Sequence, residues 1–210
     1  MVFLGPSLPL TEARGILDAE YRPPVKRGDI DGLIAGRPAG IAIIDGEFFQ
    51  SLAISPKEVL RAMESGVPVW GASSLGALRA AELHPFGMVG VGTVFELYRS
   101  GRVAADDEVA VAFAAGDGRA MSEAMINIRV ALQRATQAGA VAPAIARRLM
   151  RAAKSMYFPE RTWANLWRRT APWLAARERA KLQRYLDDTR PDIKREDARL
   201  LLRRLAEDWD

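Results

Sequence analysis

The chain has no cysteine and a single histidine. The first absence removes disulfides, persulfide chemistry on this protein and thiolate metal sites together. The second leaves too few imidazoles for a protein metal site, so neither a metal nor a cofactor is expected. Long hydrophobic runs are missing as well. The opening `MVFLGPSLPL` is apolar but has no basic leader and no membrane-length span. It reads as a buried strand, in a cytoplasmic protein with no membrane attachment.

What remains is unevenly distributed. Residues 1–118 contain 10 Lys/Arg and 15 Asp/Glu, and residues 119–210 contain 20 and 11, so an acidic front (−5) precedes a basic back (+9). With 210 residues, 49% of them apolar, the chain is long enough for one good core with a helical appendage.

The front alternates short apolar runs with helical patterns, which predicts an α/β fold: a small, mostly parallel sheet with crossover helices. Strands are expected near Val2 to Leu4, Gly40 to Ile44, Val67 to Gly71 and Glu108 to Ala114. In `SPKEVLRAMESG`, Ser55 is placed to cap a helix, with Pro56 at its first position, Glu58 three residues after the cap and Gly66 as terminator. `TVFELYRSG`, from Thr93 to Gly101, repeats the pattern. From about Met121 the texture becomes Ala, Arg, Leu and Trp at helical spacing, predicting helices over 121–138, 141–155, 160–187 (broken near Pro172) and 192–208. The expected organisation is an α/β core over 1–118 and a basic, all-helical C-terminal extension over 119–210 packed on it. Trp163, Trp167 and Trp173 read as helix-packing residues.

Chemistry concentrates in `PVWGASSLGALRAAEL`, residues 68–83, where a strand runs through a Gly/Ser turn into a helix. `ASSLG` approximates the nucleophile elbow G-x-S-x-G, with Ala72 replacing the first glycine and Gly76 in the last position. An elbow lifts a serine above the sheet and turns helix-start amides toward whatever it attacks. Ser74 is the candidate nucleophile; Ser73 and the Leu75 and Gly76 amides are candidate supporting or oxyanion groups. A plain N-cap explains Ser74 equally well.

His84 lies about 15 Å along the helix at 1.5 Å per residue and reads as a C-terminal helix residue. The front half has two lysines, Lys26 and Lys57. Lys57 begins a helix on the edge where the strands before Ser55 and Ser74 both end, and adjacent strands lie about 5 Å apart. A lysine acting as base must drop from about 10.4 to about 7–8, which costs about 3–4 kcal/mol against the ammonium. A helix end supplies about 0.3–1 kcal/mol, so burial must supply the rest. Lys57 is therefore expected to be largely buried, with no carboxylate near its nitrogen.

Asp45 ends a strand on this edge and could orient a group or close a turn. Arg79 and Glu82 are spaced to pair. Gly5 and Ser7 follow the first strand, where they could accommodate an extended peptide tail. Asp106, Asp107 and Glu108 read as a solvated turn or a partner contact.

Taken together, `FLGPSL`, `YRPPVKRGDI`, `IIDGEF`, `PKEVL`, `GASSLGALRAAEL`, `FGMVGVG`, `DDEVAV` and `NIR` make residues 2–130 resemble the TfuA-like family. The resemblance implies a partner of YcaO-type, ATP-dependent enzymes that replace a peptide backbone oxygen by sulfur. It also implies hydrolysis of a thiocarboxylated, ubiquitin-like sulfur carrier of the ThiS type by a Ser-Lys pair, here Ser74 and Lys57. Pro56 stands where many relatives would have histidine before that lysine. Without cysteine, sulfur cannot rest on this chain and would pass on as sulfide. Two other readings compete: a non-enzymatic adaptor docking YcaO and its peptide, and nucleic-acid binding by the basic back half. The back half intersperses acids among its arginines, as solvated faces do, so nucleic acid is not expected.

Overall fold

The computed structural model describes residues 1–47, 52–114 and 118–209. They form two compact units, Met1–Asp106 with Lys194–Asp210, and Asp107–Ile193.

The first unit is an α/β sandwich on five parallel strands, β1 (Val2–Phe3), β2 (Tyr21–Arg22), β3 (Ile41–Ile43), β4 (Val69–Ala72) and β5 (Val89–Val91), in the order β2-β1-β3-β4-β5. Between and after them come α1 (Leu10–Arg14), α2 (Asp31–Ile34), α3 (Pro56–Glu64), α4 (Leu75–Leu83) and α5 (Thr93–Arg99). The fold class is therefore as the sequence predicts, and so are the three strands that supply β1, β3 and β4. The strands β2 and β5 were not expected. In β5 the central Gly90 leaves room for the Phe95 ring, which a Cβ there would overlap.

A parallel sheet must be covered on both faces, and the residue alternation shows by what. Val2, Leu4, Ala42, Ile44, Ala72 and Val91 share a core with Ala13 and Leu17 and with Ala198, Leu201, Leu202 and Leu205 of the last helix, α10 (Ile193–Trp209). The opposite face is approached by α4 so closely that Gly76 has no space for a side chain over Ile43. Thus α10 returns to the α/β unit, and the first boundary falls at Asp107, earlier than the expected break after residue 118. Because α1 has only 5 residues, it covers little of its face. Helical periodicity in α10 could not reveal that its apolar stripe completes a sheet far back in the chain.

The second unit contains α6 (Met125–Gln137), α7 (Pro143–Lys154), α8 (Trp163–Thr170) and α9 (Ala176–Thr189), close to the predicted helices. Leu132, Leu149, Leu166, Trp167 and Leu182 fill its core, with Trp163 and Trp173 packed against it. The tryptophans serve packing, and the Arg148 guanidinium lies 4.0 Å from the centroid of the Trp173 ring.

The expected strand at Glu108 to Ala114 is absent. Asp106–Glu108 form a 3-10 turn, and Phe113 makes one isolated antiparallel bridge to Ala120. The acidic triplet is no solvated turn either, although Asp106 itself is exposed. Glu108 is buried and accepts from Arg129 at 2.7 and 2.9 Å and from Lys154 at 3.0 Å. Asp107 pairs with Lys154 and, at 2.9 Å, with the fully buried Arg161. Cations, and not a strand ladder, answer these carboxylates.

Burial pushes both carboxyl groups up. Hydrogen bonds from Lys154 and Arg161 to Asp107, and from Arg129 and Lys154 to Glu108, outweigh it and hold both below their ordinary values. A depressed folded-state value stabilises the fold above the ordinary carboxylate range and is lost as pH falls through the folded value. Stability therefore drops on acidification below about pH 4, and Glu108→Gln flattens that part of the profile. Identical acid profiles of urea unfolding in the two proteins would contradict this.

Candidate active site at the carboxyl edge of the sheet

All five strands point their carboxyl ends to one edge, where ligands enter open sheets of this kind. After β3, the buried Asp45 carboxylate accepts from the amides of Gly5 at 2.9 Å and Ser7 at 3.1 Å, and from the Ser7 hydroxyl at 2.6 Å. It thereby closes the loop after β1. The three residues assigned to orientation and tail binding do meet. Both amides and the Ser7 hydroxyl are directed at the Asp45 carboxylate.

After β4 the chain turns sharply. Ser73 has φ +68°, a left-handed conformation that costs a residue with a side chain about 1–2 kcal/mol. It is 0% exposed, and its hydroxyl has no hydrogen-bond partner among the described residues. Ser74 follows at the N-cap of α4 with φ −119° and ψ −127°, 4% exposed, and its hydroxyl makes no cap bond. The structure thus provides the elbow, with the kink at Ser73, and Ser74 is no ordinary cap.

The reason the helix can start there is Gly76. A Cβ at that position would overlap the Ile43 carbonyl oxygen and lie 2.6 Å from its carbon. Its amide points to Ile44 O at 3.4 Å, so Gly76 seats α4 against the sheet. Leu75, fully buried, supplies the helix-start amide beside Ser74.

Arg79 pairs with Glu82 at 2.7 Å as its spacing predicts, and its Nε donates to Ile54 O at 3.1 Å. That bond ties α4 to the residue preceding the cap of α3. The capping box of α3 is present: Ser55 and Glu58 satisfy each other's backbone, and the buried Glu58 also accepts from Gly28 N at 2.6 Å. Local sequence logic holds completely here.

For Lys57 it does not. The residue lies in the first turn of α3 on the correct edge, yet it is exposed to solvent. No carboxylate among the described residues pairs with it. With neighbouring Glu58 turned inward to the cap, the second helical position is left facing water. The expected burial is overturned, and Lys57 loses the physical basis for acting as a neutral base. His84 is exposed at the C-terminus of α4, the position expected of it, with its ring 5.7 Å from that of Phe95.

Two residues at this edge escaped the sequence reading. The amides of Thr93 and Val94, at the start of α5, donate to the Asp197 carboxylate at 2.9 and 2.7 Å. The cap of that helix thus comes from α10, whereas the Thr93-to-Glu96 spacing predicted a local box. Gly92 (φ +97°) leaves space for it, since a Cβ would lie 2.5 Å from one Asp197 oxygen. One turn earlier, Lys194 is only 3% exposed. The sole sequence signal was a charge, at 194, continuing the apolar stripe of Ala198, Leu201 and Leu205 by one helical turn.

Among the described residues, no group of three or more His, Cys, Asp or Glu is placed to hold a metal ion. No helix is long and apolar enough to cross a membrane. In comparisons with known proteins, the family described as TfuA-like protein matches residues 45–162. No curated protein matches the chain.

Proposed function

Because the chain belongs to the TfuA-like family, we propose that it hydrolyses the C-terminal thiocarboxylate of a ThiS-type sulfur carrier, releasing sulfide that a YcaO-type enzyme uses for peptide backbone thioamidation. The observation supporting this most is the elbow: a strained Ser73 presenting an uncapped Ser74 hydroxyl at a helix start on the ligand edge of the sheet.

The chemistry runs in two halves. Ser74 Oγ attacks the thioacid carbonyl, its proton passing to the sulfur that departs, with the oxyanion placed by the helix-start amide of Leu75. The C–S bond then breaks in preference to C–O, since hydrosulfide is the better leaving group, and an acyl-serine forms. Water attacks the ester, restoring Ser74 and freeing the carrier as its carboxylate. Sulfide cannot be stored, because the chain has no cysteine. Ser73 carries the left-handed kink of the turn.

The test is sulfide release from a thiocarboxylated ThiS-type carrier, followed together with the carrier's mass. The wild type turns over, and Ser74→Ala loses about a thousand-fold or more. Ser73→Ala removes an unpartnered buried hydroxyl, so it retains turnover and gains about 1 kcal/mol of stability. Equal release by wild type and Ser74→Ala would end the hydrolase reading and leave the adaptor, which docks YcaO and its peptide.

A further inference from the structure

We propose that the groove between α8 and α9 is a docking site for an acidic peptide segment, which buries one large apolar side chain in it. The site lies within the helical unit and does not depend on the serine chemistry.

The groove follows from the residue types on α9. Leu182 and Leu186 turn into the core of the helical unit, while positions 176, 180 and 183, at helical spacing on the neighbouring stripe, carry Ala, Ala and Gln. Two methyl groups fill little of the space beside α8. What is left is an open cleft of about 570 Å³, walled by Ala176, Arg179, Ala180 and Gln183, by Leu174 in the connecting turn and by Trp167 of α8. That volume suits a pocket for a small ligand or a large side chain. Trp167 and Leu174 belong to the core, at 4% and 7% exposed, so the floor is apolar.

Positive charge surrounds this floor. The Arg179 guanidinium lies 5.8 Å from the centroid of the Trp167 ring, within cation–π range. Arg177 and Arg184 share a helical stripe with Ala180, and Arg168 lies one turn before Ala171, which also lines the cleft. All four arginines are exposed, and none pairs with a carboxylate among the described residues. Asp187, one turn past Gln183, accepts from it at 2.9 Å. Residues 107–193 hold 15 Lys/Arg against 9 Asp/Glu, a net of +6. Two of those acids, Asp107 and Glu108, are already answered by Arg129, Lys154 and Arg161. The counter-charge that the rim lacks is what an acidic ligand supplies.

The floor selects a peptide over a nucleic acid. A base stacks on a ring that stands exposed, whereas Trp167 is recessed. An apolar floor beneath an arginine rim instead suits one large apolar side chain flanked by carboxylates.

The test uses the full chain and a short fluorescein-labelled peptide of Asp and Glu around a single tryptophan, with binding read by fluorescence anisotropy. Affinity is expected to fall about tenfold or more in Arg179→Glu, which reverses the charge over the floor, and in Ala180→Phe, which fills the cleft without changing charge. Both positions are exposed, so the variants keep the fold. Arg147→Glu, an equal charge change at an exposed position of α7, stays within about twofold of wild type. Replacing the peptide's tryptophan by serine also loses about tenfold. No binding by wild type, equal binding of the serine peptide, or unchanged affinity in Arg179→Glu or Ala180→Phe would overturn the proposal. Poly(U) bound more tightly than the peptide, and equally by Ala180→Phe, would assign the rim to phosphate and overturn it too. Sulfide release plays no part in this measurement, so failure of the hydrolase reading and failure of the docking site are told apart.

Discussion

Gly76→Ala costs about 3 kcal/mol, the upper end of the range for overpacking, and removes activity with it. The collision is with backbone: the new methyl would lie 2.6 Å from the Ile43 carbonyl carbon and 3.3 Å from Ile44 N. No side-chain rotation relieves it, so either α4 lifts from β3 or the strand bends. Both displace Ser74, which begins that helix. Gly32 is the natural control, because an added Cβ there meets nothing within 4 Å. Urea unfolding monitored by circular dichroism should place Gly32→Ala at or above wild type and Gly76→Ala well below it. A Gly76→Ala protein of wild-type stability would mean that α4 does not press on the sheet as described.

The second large effect lies in the helical unit. Arg161→Met is expected to cost about 3 kcal/mol, the upper end for leaving buried acceptors unanswered. Arg161 is fully buried, and its guanidinium donates to Ala153 O at 3.2 Å, Asp107 O at 3.0 Å, Asp107 Oδ2 at 2.9 Å and Met156 O at 3.2 Å. Methionine replaces the stem but answers none of these acceptors, and Asp107 keeps only Lys154. Arg161→Lys has a single ammonium on the same side and recovers only part, because it cannot span four acceptors in a fork. Unchanged unfolding of Arg161→Met would show that the acceptors find water at no cost.

How well the sequence could be read depended on range. Ser55, Pro56, Glu58 and Gly66 interact within one helix, so the limits of α3 followed from residue types alone, and the Arg79–Glu82 pair followed from one helical turn. The same logic failed for Thr93. There the competing cap, Asp197, comes from 104 positions away, and a fully placed carboxylate outcompetes a local box. It failed for Glu108 because Arg129 and Lys154 approach from helices distant in sequence. For Lys57, position on the edge was legible but exposure was not. Whether water reaches the second residue of a helix is decided by what packs beside it.

The sequence by itself determined the α/β class, the strand-turn-helix elbow at Ser73 and Ser74, the absence of thiol chemistry and the family to which the chain belongs. These depend on periodicity, local turn chemistry and composition. Only the tertiary structure decided which helix closes the second face of the sheet and that the lysine in the first turn of α3 is left out of the packed interior. Both are outcomes of burial between segments far apart in the chain, and desolvation is a property of the assembled surroundings, not of any residue's neighbours in sequence.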